Sequence, residues 1–378
     1  MSTDRRQVCI VAMLVGIPVR TFRVLLLYCA CSGPALGQAT GELIFQPGST
    51  SFPSSHASTV VELPDRKVMS AWFGGSAEGK SDVAIWSAMR DSNGWTKPVE
   101  LVREPSIACY NPVLFYTRDR RLWMYYKFGP SPSTWSAGRI VSTDNGRTWS
   151  APEHLPAGLL GPIRAKPLVL KDGTVVSGTS FESYRTWAVW IERSTDDGST
   201  WAKIGPIVPP LDLDAKGLGQ NAGVVPADVP GSTDWKFIQG IIQPSVVQLK
   251  GRHLRLYARS TAKTARVTVA DSEDNGISWT QAHPLDVPNP NSGIDAVTLK
   301  DGRVVLIYNN TTSGRTPLNL AISGDAEHFT PFKTLEDVPG EYSYPALVQA
   351  ADGDLLMTYT WNRKSIKFVR LPLAELPR

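Results

Sequence analysis

The chain has 378 residues and a formal net charge of +4, with only 20% of residues charged. It holds 31 Gly, 29 Pro and 12 Trp, a turn-rich and aromatic-rich profile that points to an all-β protein. The modest positive charge gives no argument for a nucleic-acid partner.

The first forty residues differ from the rest. Arg5 and Arg6 precede an apolar stretch over 8–19, and Arg20 and Arg23 precede a second over 24–31. Small residues between Pro34 and Ala39 suit cleavage after Gly37 or Ala39. Residues 1–39 read as a secretory leader, with a start near Val19 and an upstream extension, so the mature protein is expected to be exported. Neither apolar stretch reaches the roughly 20 residues of a membrane span, and stable insertion is not expected. Cys9, Cys29 and Cys31 fall in the leader; Cys109 alone remains, without a disulfide partner or a cysteine metal site. The leader also holds four Arg and one Asp, a charge of +3, so the rest of the chain carries about +1.

From there the chain repeats. Short turn phrases separate apolar runs at Asp65, Asp119, Asp172, Gly251, Asp301 and Asp352, in steps of 54, 53, 79, 50 and 51. Asp-Gly between such runs marks a hairpin, because glycine takes positive φ without strain. A second phrase, Ser-x-Asp-x-Gly-x-Thr/Ser-Trp, occurs at 142–149, 194–201 and 272–279, with worn copies at 91–95 and 323–329. Its Asp and Ser suit turn bonds to backbone amides, and its Trp suits a plug between neighbouring units. The long step contains an insertion over about 204–235, rich in Pro, Gly, Asp and Ala, read as a surface excursion or a lid. No long 3.6-residue periodicity occurs after the leader. Six four-stranded units closing radially predict a six-bladed β-propeller, one domain over residues 40–378.

The repeated phrase is similar to the Asp box of the sialidase (neuraminidase) superfamily. Residues about 45–375 resemble its bacterial predicted-neuraminidase branch, which carries BNR repeats. The resemblance implies a sialidase-like exo-glycosidase that removes a terminal acidic sugar from a glycan. Such an enzyme holds the sugar carboxylate with three arginines, attacks with a tyrosine activated by a glutamate, and protonates the leaving group with an aspartate. A tyrosine nucleophile avoids the repulsion that a carboxylate would meet beside the sugar carboxylate.

By that resemblance Tyr342, in Gly-Glu-Tyr-Ser-Tyr-Pro, takes the nucleophile position. Arg259 and Arg315 take the second and third arginine positions, and Asp82 or Glu78 takes the acid position. Two positions depart from the pattern. His56 stands where the first arginine would be, and Gln243 where the activating glutamate would be. A glutamine takes no proton, so another base, Glu341 or Glu182, would be needed. Lys127, Arg164, Lys166, Asn111, Asn289, Asn291 and Asp295 sit beside Pro or Gly where strands meet loops, each a pocket residue or a turn residue. Lys127, Lys166, Arg259 and Arg315 together would form a basic cavity that focuses acidic substrates. No metal, phosphate-loop or serine-elbow motif occurs, and no cofactor is expected. The expected partner is an acidic glycan, met by a monomer. Two alternatives stand beside hydrolysis: a polysaccharide lyase on uronic-acid glycans, using His56 and a tyrosine, and a non-catalytic glycan-binding propeller.

Overall fold

The computed structural model describes residues 39–183, 186–211 and 239–377. The expected leader, up to residue 38, and residues 212–235 of the expected insertion lie outside the described residues. Among the described residues no helix is long and apolar enough to cross a membrane.

Among the described residues, strand pairing resolves into six antiparallel sheets that follow one another along the chain. The first joins Ser54–Glu62, Val68–Gly75 and Ala84–Asp91, with Gly94–Trp95 and Val99–Val102 outside. The second joins Cys109–Tyr116, Leu122–Phe128, Ser136–Ser142 and Glu153–His154. The third joins Leu168–Val169, Val175–Glu182, Thr186–Ser194 and Ala202–Ile207. The fourth joins Gln239–Gln248, Leu254–Ser260, Arg266–Ser272 and His283–Pro288, and two residues of its first strand also pair in parallel with the third sheet. The fifth joins Asp295–Thr298, Val304–Tyr308, Leu318–Ser323 and Thr330–Glu336. The sixth joins Tyr342–Gln349, Leu355–Trp361 and Ser365–Leu371, and its outermost strand is Thr40–Leu43 from the other end of the chain. The architecture is a β-propeller of the sialidase type.

The apolar residues form six layers between neighbouring sheets rather than one centre. Met69 and Met124 share the layer between sheets one and two, Tyr125 and Val175 that between two and three, Val176 and Leu256 that between three and four. Tyr257 and Leu306 meet between four and five, Ile307 and Met357 between five and six, and Leu356 and Trp72 between six and one. Successive strand residues point to opposite faces, so Val304 and Val305 enter different layers. Both faces are covered, which is why these strands read as unbroken apolar runs.

The Asp boxes lie at the outer ends and do what their composition implies. Asp144 accepts hydrogen bonds from Ser142 Oγ (2.8 Å), Thr148 N (2.8 Å) and Thr148 Oγ1 (2.6 Å), while Ser142 Oγ accepts from Gly146 N at 2.7 Å. Asp196 and Asp274 repeat the set with Thr200 and Ser278. In the worn copy, Asp325 keeps it with His328 replacing the hydroxyl residue. The aromatic that ends each phrase enters an inter-sheet layer: Trp95, Trp149, Trp201, Trp279 and Phe329 each join a different one. Gly146 is a true positive-φ position (φ +83), and a Cβ there would meet Met69 Sδ at 2.8 Å.

Candidate active site

The inner ends of the sheets carry a second periodic feature. Ala57, Asn111, Arg164, Gln243, Gly293 and Tyr344 each lie eight residues before one of the six turn markers. Ala57, Asn111, Gln243 and Tyr344 have left-handed backbone (φ 54, 41, 55 and 51). Each sits inside a register shift on the innermost strand of its sheet. A bulge with an extra left-handed residue re-aims its side chain, and here it turns side chains of separate sheets toward one another.

Tyr344 is the focus. Its hydroxyl accepts hydrogen bonds from Arg259 Nη1 at 2.9 Å and from Gln243 Nε2 at 3.1 Å. Arg259 also donates to Gln243 Oε1 (3.2 Å) and Asn291 Oδ1 (2.7 Å). The guanidinium carbons of Arg164, Arg259 and Arg315 lie 5.8, 5.8 and 5.7 Å from the Tyr344 ring centroid. The His56 ring packs on the same tyrosine with centroids 4.2 Å apart, and its Nδ1 is 2.8 Å from Thr360 Oγ1. Burial holds the His56 imidazole well below its usual range, reinforced by Arg363, Arg315, Arg259 and Arg164, so it is neutral at pH 7. Tyr344 itself remains half-buried, with access to solvent.

Carboxylates ring the cations. Glu341 accepts from Arg315 Nη1 at 2.7 Å, Arg363 Nε at 2.9 Å and Ser343 Oγ at 3.0 Å. Burial pushes the Glu341 carboxyl up, but Arg363 and Arg315 outweigh it and hold it below its usual value. Glu78 bonds Arg363 Nη1 at 2.5 Å. Burial raises the Glu182 carboxyl, opposed by the charge of Arg259 and assisted by that of Glu78.

Several expectations need correction. Tyr342 does not face this cluster. It is 3% exposed within the apolar layer between sheets five and six, beside Leu318 and Tyr359. Its neighbour Tyr344 occupies the central position, because the left-handed bulge turns it inward. Asp82 is a turn staple: it accepts from Ser76 N and Ser76 Oγ, both at 2.8 Å, and lies exposed. Of the two expected acids, Glu78 is the one that reaches the arginines.

The expected cavity lysines also serve elsewhere. Lys127 is fully buried and donates to the Pro162 carbonyl; burial lowers its amine to about 7. Lys166 forms an ion pair with Asp295 (3.1 Å) and bonds Ala296 O (2.9 Å). Asp295 also accepts from Ser245 Oγ (2.6 Å) and Leu347 N (2.8 Å), so it ties together sheets three to six. Asn111 bridges sheets two and three through Ile163 O at 3.2 Å, and Asn289 bonds Ser292 O. These residues hold the ring that carries the site. Arg164 combines both roles: it donates to the Ile294 and Pro345 carbonyls while its guanidinium faces Tyr344. Gly293 leaves room for it, since a Cβ there would lie 3.3 Å from Arg164 Nε.

The residues that the sequence reading missed are Tyr344 and Arg363. The eight-residue offset from the turn markers would have found the tyrosine. A hollow of about 760 Å³ lined by Arg121, Trp123, Arg139 and Asp196 lies at the outer turns, away from this cluster.

Residues 66–357 match the family described as the BNR repeat-like domain. No protein of curated function matches the sequence at a significant level. Solved structures similar to this chain include the NanB sialidase of Streptococcus pneumoniae, at 15% identity and TM-score 0.68, covering 89% of this chain and 71% of that one. A protein of unknown function from Dyadobacter fermentans is similar at 16% identity and TM-score 0.70, covering 88% and 97%. The leech intramolecular trans-sialidase complexed with 2,7-anhydro-Neu5Ac is similar at 14% identity and TM-score 0.65, covering 89% and 71%. With its Asp-box turns, its inter-sheet aromatic plugs and most of its length matched, this chain belongs to the BNR repeat-like domain family.

Proposed function

We propose that this protein is an exo-acting glycoside hydrolase that removes a terminal acidic sugar, sialic acid or a related one, from glycans. The carrying observation is the Tyr344 hydroxyl, which accepts from Arg259 at 2.9 Å and from Gln243 at 3.1 Å among several arginines. Both neighbours donate, so they stabilise the tyrosine oxygen as it gains negative character. Gln243 takes no proton. The neutral His56 imidazole against the same ring is a proton acceptor already in its basic form. Tyr344 attacks the anomeric carbon, and Glu182 donates a proton to the leaving oxygen. Its raised carboxyl suits it to that task better than Glu78, which is ion-paired. The arginines hold the sugar carboxylate. The leader supports a proposal of export to the periplasm or beyond, tested by sequencing the N-terminus of the secreted protein.

The function is tested by turnover of a fluorogenic sialoside beside a panel of uronic-acid glycans, with products read by mass spectrometry. Release of an intact acidic sugar supports the proposal; a panel with no turnover overturns it. One observation favours a second reading. A neutral histidine packed on a tyrosine, with an amide at the activating position, also suits a lyase that removes a proton beside a neutralised carboxylate. An unsaturated product absorbing in the near ultraviolet would decide for it.

A further inference from the structure

We propose that Arg363, from the sixth sheet, supplies the third cation that holds the substrate carboxylate beside Arg259 and Arg315. The inference rests on the acidic-sugar reading and identifies a residue that sets its specificity. The first-sheet position that resembles an arginine site holds His56, which is 1% exposed. Arg363 reaches that place from another part of the chain, with Nη2 3.5 Å from His56 Nε2.

The turn that delivers it is built for delivery. Asn362 and Arg363 both have left-handed backbone (φ 52 and 54), and Lys364 N closes the turn onto Trp361 O at 3.0 Å. A hairpin turn with two left-handed residues favours Asn-Gly, because glycine takes the second place without strain. Asn362 fits that rule and Arg363 breaks it. A strained residue at a cleft is a pointer to function. The strain is held from outside: Arg363 O accepts from Ser55 N at 2.9 Å, next to His56, and Asn362 Oδ1 accepts from Glu341 N at 2.8 Å. The first sheet thus grips the turn beside the position where its own arginine is missing.

The spacing of the cations is also fixed. Glu341 accepts from both Arg315 and Arg363 and so ties their guanidiniums together. Arg259 and Arg315, from the fourth and fifth sheets, lie over one tyrosine, and Arg363 from the sixth reaches the neutral imidazole packed on it. A carboxylate between them gains charge-assisted hydrogen bonds that a neutral group cannot make.

The test compares binding of 3′-sialyllactose and a glucuronic-acid-terminated disaccharide, each beside its carboxylate methyl ester, by calorimetry on the full protein. Wild type is expected to prefer at least one acid over its ester by about tenfold or more. Arg363→Gln and Arg363→Gly are expected to lose most of that preference. Glycine accepts the turn conformation, so that variant keeps the fold while removing the charge; its melting curve checks this. Arg363→Lys is expected to retain part of the preference, and His56→Arg added to Arg363→Gln to restore part of it. An unchanged preference in both Arg363→Gln and Arg363→Gly overturns the assignment to Arg363. Wild-type indifference to both esters overturns the acidic-sugar reading instead, so the two failures are distinct.

Discussion

At the outer ends of the sheets, Asp144, Asp196 and Asp274 make the same bonds with nearly the same residues around them. At the inner ends the position repeats and the residue does not: Ala57, Asn111, Arg164, Gln243, Gly293 and Tyr344 share one offset from the turns. The outer phrase is a fastener, and a fastener works the same way wherever it is used. The inner position is a mount. Its bulge aims a side chain at the centre, and each sheet supplies a different one. A propeller separates the two demands by distance along each strand.

The sharpest break of this comparison lies at adjacent inner residues. Tyr344→Phe is expected to lose turnover by a factor on the order of a thousand or more, with melting unchanged. Tyr342→Phe leaves the ring in its apolar layer and removes only a hydroxyl bonded to Asn362, so kcat should fall far less. Equal loss in both variants would mean the bulge does not select the reacting residue.

A large stability effect is expected just beneath the site. Asp295→Ala leaves the Lys166 amine beside an empty partner position and strands the Leu347 amide, at an expected cost of about 3–5 kcal/mol. Urea unfolding measures it, and a change under 1 kcal/mol, roughly the value of a surface pair, would place this ion pair with the ordinary exposed ones.

A smaller effect depends on pH. His56 is held neutral in the folded chain, its pKa well below the ordinary imidazole value of 6.5. The unfolded chain takes up the proton first, so this contribution is present above about pH 6.5 and is lost as pH falls below it. His56→Gln should flatten the fall in melting temperature between pH 7 and 5. The smallest change belongs to the rim. Asp274 is lowered from 3.8 to about 2 mainly by its bond from Ser278. Its contribution is present above about pH 4 and fades toward pH 2. Asp274→Asn should lower the melting temperature by about 2–4 °C at neutral pH, less at pH 2, and leave turnover unchanged.

The rim was legible in the sequence because its chemistry is local: a serine, an aspartate, a glycine and a hydroxyl within eight residues make their own bonds. The unit length was legible for the same reason, through turns that need glycine. The centre was harder because its partners lie far apart in the chain. Gln243 and Tyr344 are 101 residues apart, and His56 and Arg363 are 307 apart. Glu-Tyr-Ser-Tyr-Pro offers two tyrosines at strand spacing, and only the left-handed bulge decides which one turns inward. Arg363 was hidden differently. It stands in a hairpin turn, where residues are read for their backbone and not for their side chains. Arg259 and Arg315 were suggested by strands similar to known ones, and both lie over the Tyr344 ring.

The strand Thr40–Leu43 completes the sixth sheet by pairing with Lys367–Arg370 from the far end of the chain. Thr40 lies opposite Arg370, so both ends of the chain leave this pair on the same side. Tension between the two ends would therefore load the lock like a zip, one rung at a time, and not in shear across all rungs together. A pulling experiment is expected to show an early low-force step as this strand peels away, followed by the stiffer opening of the sheets themselves.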